Sequence, residues 1–134
     1  MVAPEPVSII DKGAYLLVEF LGEFSVEAGK QCVDKMAEAC EKHRRLEVLL
    51  DCRRMTGNMS VFDRFQVAEY GATKRRQIPR LAILNREDVV LPDKFVENVS
   101  VNRGFVVKIF TDLDEAELWL SLSAPNKPDA SDGL

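Results

Sequence analysis

The chain has 134 residues, of which 46% are hydrophobic and 30% are charged, and its formal net charge is −4. This length is typical of one domain with a single core, and the composition excludes a disordered or membrane-spanning chain. The acidic total argues against general nucleic-acid binding. The start MVAPEPV does not resemble a signal peptide, and three cysteines without paired spacing indicate reduced thiols, so a cytoplasmic location is predicted.

The first half of the chain predicts a hairpin, a long helix and a buried strand. Val7–Ile10 and Ala14–Leu21 are predicted to pair as antiparallel strands, because only a short turn separates them. Ser25 is the expected N-cap of a helix that continues to about His43. Leu46–Cys52 is rich in aliphatic residues and predicts a third strand.

The second half alternates between helices and strands. Ser60 and Asp63 have the spacing of a capping box, which predicts a helix to about Thr73, and a fourth strand follows at residues 80–85. Leu91-Pro92-Asp93 predicts the start of a third helix, which Gly104 ends in the left-handed conformation. Residues 106–110 predict a fifth strand, and Thr111 or Asp112 is the expected cap of a final helix.

This alternation predicts an α/β fold of the order β-β-α-β-α-β-α-β-α. The sheet should have five strands, mostly parallel with an antiparallel first strand, and four helices. Periodicity leaves open whether the helices cover one face of the sheet or both. Residues 1–124 are predicted to form a single domain, and residues 125–134 are small, polar and proline-containing, which predicts a flexible tail.

Several short segments, in their order and spacing, resemble the SpoIIAA-like family of small bacterial proteins. That family is related in fold to STAS domains and to CRAL–TRIO lipid-transfer domains. The resemblance covers about residues 7–122 and implies no enzymatic activity and a role in binding apolar ligands or membranes. The segments that carry it are Gly22–Ser25, Leu49–Arg53, Thr56-Gly57, Ser60–Asp63, Phe95, Asn102–Gly104, Val107–Asp112, Glu115-Ala116 and Trp119-Leu120.

Ser60 is a candidate phosphorylation switch. The resemblance extends to STAS-type anti-sigma-factor antagonists, in which a serine at the start of the helix after the third strand is phosphorylated. A phosphate here would meet the positive end of a helix dipole. The Asp-Ser-Ser-Gly loop of those regulators is replaced by Gly57–Ser60, and an ordinary N-cap serine is the simpler interpretation.

The helix from Ser60 to Thr73 has two apolar sides. Helical spacing places Val61, Phe65, Ala68 and Ala72 on a predicted core face. Val67 and Tyr70 lie roughly opposite, with Phe62 at the margin. This second patch predicts contact with an apolar ligand or lipid, a facing helix or a second subunit in a homodimer, and isolated exposed apolar residues are a further interpretation. Met55 and Met59 are candidates to line an adaptable ligand entrance.

Basic residues are grouped in spite of the acidic total. Each group precedes a parallel strand, so both groups should lie at the same end of the sheet. They could form a positive edge for anionic membrane headgroups, which predicts a peripheral location at the inner membrane face. Alternatively, these basic residues only stabilise the C-terminal ends of two helices, where the helix dipole is negative. The residues of this basic edge are Lys42, Arg44, Arg45, Lys74, Arg75, Arg76 and Arg80.

The sequence offers little support for catalysis, a cofactor or a metal. His43, the single histidine, lies in a basic run, so no nucleophile–histidine pair can be assembled. Cys32, Cys40 and Cys52 occupy buried positions of a helix and a strand, where inert packing is expected. The main hypothesis is therefore a non-enzymatic domain that binds an apolar small molecule or a membrane surface. The alternative is a STAS-like regulatory module that binds another protein and is switched at Ser60.

Overall fold

The order of helices and strands in the computed structural model is the predicted one. The structure describes residues 6–57, 59–89 and 95–122. The predicted helix start at Leu91-Pro92-Asp93 and the predicted tail, residues 125–134, lie outside these ranges. The elements are β1 Val7–Asp11, β2 Leu16–Phe20, α1 Val26–His43, β3 Glu47–Asp51, α2 Val61–Ala72, β4 Arg80–Leu84, a 3₁₀ turn Glu87–Val89, α3 Phe95–Asn102, β5 Val107–Phe110 and α4 Leu113–Leu122. The 3₁₀ turn was not predicted.

The five strands form one sheet in the order β1-β2-β3-β4-β5. The β1 strand pairs antiparallel with β2, and the remaining pairs are parallel. Residues 47–50 of the central strand β3 are buried on both faces, as expected for a parallel strand covered on both sides. The predicted fold class is thus confirmed.

Local chemistry explains where the helices begin and end. The Ser25 side chain accepts a hydrogen bond from the Ala28 N–H at the start of α1. Gly104 has a φ of 78° just after α3, a conformation that a side chain would strain. At α4, the Asp112 carboxylate accepts from the Glu115 N–H at 3.0 Å, so Asp112 rather than Thr111 is the cap.

Helices cover both faces of the sheet, which settles the arrangement that periodicity left open. The α4 helix packs on β3, β4 and β5 on one face. The α1 helix packs on β1, β2 and β3 on the other face, and α3 packs on β5. The α2 helix lies between α1 and α3, and within the described part of the chain its backbone approaches no strand closely. This placement leaves space between α2 and the sheet.

Candidate functional site

The N-terminus of α2 carries the predicted capping box. The Ser60 hydroxyl accepts from the Asp63 N–H at 3.0 Å, and the Asp63 carboxylate accepts from the Ser60 N–H at 3.3 Å. Ser60 is nevertheless exposed to solvent. The capping role is therefore present in the structure, while phosphorylation of the hydroxyl stays a prediction.

The inward face of α2 differs from the predicted one. Val61 was expected in the core but is 52% exposed, and Phe65 is only half-buried. The other two predicted core residues, Ala68 and Ala72, are buried as expected, and Gly71 is buried beside them. The buried side of α2 is therefore shifted from Val61 and Phe65 toward Gly71.

Close contacts at two glycines accompany this shift. A Cβ atom on Gly71 would lie 2.9 Å from Cε2 of the Phe105 ring, so the glycine lets α2 approach the Phe105 side chain, two residues before β5. A Cβ on Gly29 of α1 would lie 2.8 Å from Cγ2 of Val67, so the two helices also meet at a glycine. The Tyr70 hydroxyl donates to Asp34 of α1 at 2.6 Å. The predicted second patch of α2, Val67 and Tyr70, therefore faces α1.

A cavity of about 120 Å³ lies between α2 and the sheet. Its walls come from all three helices of this face and from the sheet, and its lining is mostly apolar. Among the predicted ligand residues, Met55, Met59 and Val67 line the cavity, whereas Phe62 and Tyr70 do not. We call this space the α2 cavity.

The α2 cavity adjoins a more polar recess at the carboxyl ends of β3 and β4. The recess has a volume of about 420 Å³ and shares Met55, Met59, Arg64 and Asn85 with the cavity. The carboxyl ends of parallel strands are where open α/β sheets generally bind ligands. The remaining residues of this polar recess are Gly57, Ser60, Arg86, Asp88 and Val89.

Arg64 stands at the junction of the α2 cavity and the polar recess. Its Nε is buried and has no hydrogen-bond partner, and no carboxylate within salt-bridge distance is found in the described ranges. Burial lowers the pKa of the Arg64 guanidinium. The nearby Arg86 is different, since it pairs with Asp88 at 3.2 Å and donates to the carbonyl of Arg53.

Sequence reasoning missed Arg64 because an arginine in an amphipathic helix is normally assigned to the solvent side. One signal was available. Arg64 is four residues after Ser60 and four before Ala68, so it shares a helical side with a predicted core residue.

The N-terminal turn of α2 exposes two large apolar side chains. Val61 is 52% exposed and Phe62 is 66% exposed, and both follow the exposed Ser60 directly. Neither side chain lines the α2 cavity. Adjacent exposed apolar residues of this kind can mark a contact surface, although single ones are common.

The basic edge is partly neutralised within the chain. Arg45 forms a salt bridge with Asp11 at 2.9 Å, and this hydrogen bond raises the pKa of Arg45. Arg80 lies 3.6 Å from a Glu47 carboxylate oxygen, and Lys74 lies 3.9 Å from Asp34. Four of the predicted residues have no salt bridge among the described pairs, namely Lys42, Arg44, Arg75 and Arg76. No helix in the described ranges is long and apolar enough to cross a bilayer.

The three cysteines are buried free thiols, as predicted for packing residues. Burial raises the pKa of Cys32 to about 12 and that of Cys40 to about 11, and it raises the pKa of Cys52 as well. Thiols with raised pKa values are poor nucleophiles at neutral pH. No group of three or more metal-ligating side chains occurs within residues 6–57, 59–89 and 95–122.

Comparison with known proteins shows the family. The SpoIIAA-like family model matches residues 15–121. The chain belongs to the SpoIIAA-like family. No curated protein matches the chain.

Two solved structures share the fold. An uncharacterised DUF3478-family protein with a SpoIIAA-like fold from Shewanella loihica PV-4 is 19% identical, with a TM-score of 0.53 over 90% of this chain and 98% of that one. An anti-sigma factor antagonist from Mycobacterium paratuberculosis is 12% identical, with a TM-score of 0.57 over 86% of this chain and 92% of that one. At these identities the likeness concerns the fold.

Proposed function

We propose that this SpoIIAA-like protein is a non-enzymatic regulatory module that binds another protein through the N-terminal turn of α2. The observation that carries this proposal is the exposed pair Val61 and Phe62 beside the exposed Ser60. These apolar side chains contribute little to the core, and a protein partner would remove them from water.

The class of partner is proposed from a structural neighbour that shares the fold. One structural neighbour is an anti-sigma factor antagonist, so the partner proposed here is a protein of the anti-sigma-factor class. A phosphate on Ser60 would add a charge of about −1.5 to −2 beside the apolar pair and would weaken contact with an apolar surface.

Quantitative affinity capture with matched variants tests the proposal. The wild-type chain and Leu118→Ser should capture the same partner, because Leu118 is 56% exposed but lies on α4. Val61→Ser with Phe62→Ser should reduce capture at least tenfold, and Ser60→Asp should reduce it while retaining the fold by circular dichroism. Equal capture by all four proteins would contradict the proposal. If analytical ultracentrifugation shows that the partner is a second copy of the chain, the proposed binding of another protein is wrong and this surface forms a homodimer.

A second candidate function is favoured by a different observation, the α2 cavity. An apolar cavity of about 120 Å³ within a small domain is a candidate site for an apolar small molecule. Native mass spectrometry of the gently purified protein should show a retained molecule that organic extraction removes. A spectrum with only the bare chain mass, together with no binding of added small apolar compounds, would exclude this function.

A further inference from the structure

Arg64 is half-buried, and its guanidinium forms no salt bridge with any residue in the described part of the chain. Its Nε is inaccessible and has no hydrogen-bond partner. Two nearby interactions leave no carboxylate of the recess for Arg64, since Asp88 pairs with Arg86 and the Asp63 carboxylate accepts from the Ser60 N–H. Burial of an unpaired charge is costly, and a bound anion would offset that cost.

The charge balance of the polar recess favours a single negative charge. The Arg86–Asp88 pair is neutral as a unit, which leaves about one positive charge on Arg64. A carboxylate carries one negative charge at neutral pH, whereas a phosphate monoester carries about 1.5 to 2. A carboxylate can also accept two parallel hydrogen bonds from one guanidinium.

The volume of the α2 cavity limits the size of the apolar part of a ligand. Its volume of about 120 Å³ is slightly below that of an engineered apolar cavity of about 150 Å³ that binds benzene. The apolar body of a ligand should therefore contain about six carbon atoms. Met55 and Met59 lie where the cavity meets the recess, and their flexible side chains can adapt to the ligand.

We propose that the protein binds a small carboxylic acid whose carboxylate pairs with Arg64 in the polar recess and whose apolar body occupies the α2 cavity. This inference rests on the second candidate function and names its ligand class. The recess also contains Ser60. The acid therefore binds immediately below the surface proposed to contact a protein partner.

The test is an NMR titration of the full ¹⁵N-labelled chain with hexanoate, 1-hexanol and hexyl phosphate, which have six carbon atoms each and carry different head groups. Hexanoate should bind at least tenfold more tightly than hexanol and should shift amide signals of residues 59–71. Arg64→Met should abolish that preference, and Arg64→Lys should retain part of it because the charge remains. Arg103→Met is the matched control. Arg103 contacts Phe65 and Glu69 on the outer side of α2 and does not line the cavity.

Three contrary results would overturn different parts of the proposal. Equal affinity for hexanoate and hexanol, unchanged in Arg64→Met, would overturn the carboxylate assignment and leave cavity binding standing. Tighter binding of hexyl phosphate than of hexanoate would identify a phosphorylated ligand and would also overturn it. Absence of binding for all three probes would overturn cavity binding as well, without affecting the proposed protein contact of Val61 and Phe62.

Discussion

The two faces of the sheet are covered in different ways. On the α4 face, Leu49 and Leu84 pack with Ala116 and Leu120 in a closed cluster that includes the Trp119 ring. On the opposite face, α2 packs against α1 and α3 and leaves the α2 cavity above the strands. Closed packing contributes stability, whereas space with a polar entrance is what ligand binding needs. The α4 face therefore holds the fold together, and the α2 face carries the candidate site.

Two arginines show the same contrast. Burial lowers the pKa of both Arg80 and Arg64. The Arg80 guanidinium lies 3.8 Å from the centre of the Trp119 ring and 3.6 Å from Glu47. Arg64 has no comparable ring contact or salt bridge within the described ranges. A charge that the fold compensates is structural, whereas one that it leaves uncompensated is available to a ligand.

The largest expected effect is on stability, and it differs between two neighbouring residues of β3 that face opposite sides of the sheet. Leu49 is completely buried on the α4 face, and its neighbour Leu50 is 9% exposed and lines the α2 cavity. Leu49→Ala should lower the free energy of unfolding by about 4 kcal/mol, because the closed cluster cannot collapse into the new space. Leu50→Ala should cost about 2 kcal/mol, since part of that side chain already borders a void. Urea unfolding measures both, and equal losses would mean that the two faces are packed alike.

The second prediction concerns the two arginines. Arg80→Met should destabilise the protein by about 3 kcal/mol, because it removes the ion pair that Arg80 forms with the buried Glu47 carboxylate. Arg64→Met should instead stabilise the ligand-free protein by about 1 kcal/mol, because it removes a half-buried charge for which the described ranges supply no salt-bridge partner. Thermal unfolding of both variants checks the opposite signs. A loss of stability in Arg64→Met would show that the guanidinium has a structural partner.

The sequence predicted the fold well because the fold depends on local signals. Ser25, Asp63 and Gly104 begin or end helices through hydrogen bonds and backbone conformations that involve near neighbours in the chain. The resemblance to the SpoIIAA-like family, now confirmed over residues 15–121, added the order of the elements. Such signals are readable without knowledge of tertiary contacts.

The candidate site was harder to predict because it depends on contacts between helices. The hydrophobic pattern counted Val61 as a core residue and gave no weight to Gly71, although the glycine permits the close approach to Phe105. Arg64 and Gly71 then line the same cavity. A glycine has no side chain to register as hydrophobic, so periodicity alone could not give this orientation.

A smaller loss of stability is expected when the N-cap residues of α2 and α4 are replaced. Ser60→Ala and Asp112→Ala should each cost about 1 kcal/mol, because each removes the acceptor for a first-turn N–H of α2 or α4. Ser60→Asp should be nearly neutral for stability, since aspartate is also a good N-cap. Hydrogen exchange should increase more widely in α2 for Ser60→Ala than in α4 for Asp112→Ala, because α2 lacks close backbone contact with the sheet. Equal spread in the two helices would contradict this difference in anchoring.

Alkaline pH should weaken the α2 face, since all three cysteines pack on that side of the sheet. The ordinary pKa of a thiol in an unfolded chain is 9.0, whereas burial raises the pKa of Cys40 to about 11 and that of Cys32 to about 12. The folded chain therefore retains protons that the unfolded chain releases above pH 9. The stability from these thiols is present below pH 9 and is lost as pH rises toward 11–12, which urea unfolding at successive pH values measures. A free energy of unfolding that is constant from pH 8 to 11 would contradict the burial of these thiols.

The smallest expected effect is a change in the alkylation rates of the same thiols when a ligand binds. Cys32 and Cys52 line the α2 cavity, whereas Cys40 lies elsewhere on the same face. A carboxylic acid in the cavity stabilises the closed state, so it should slow alkylation of Cys32 and Cys52 a few-fold more than that of Cys40. Peptide mass spectrometry after timed iodoacetamide treatment, with and without hexanoate, measures each site. Selective slowing that disappears in Arg64→Met would locate the acid between α2 and the sheet. Equal slowing at all three cysteines would contradict selective protection of the cavity thiols.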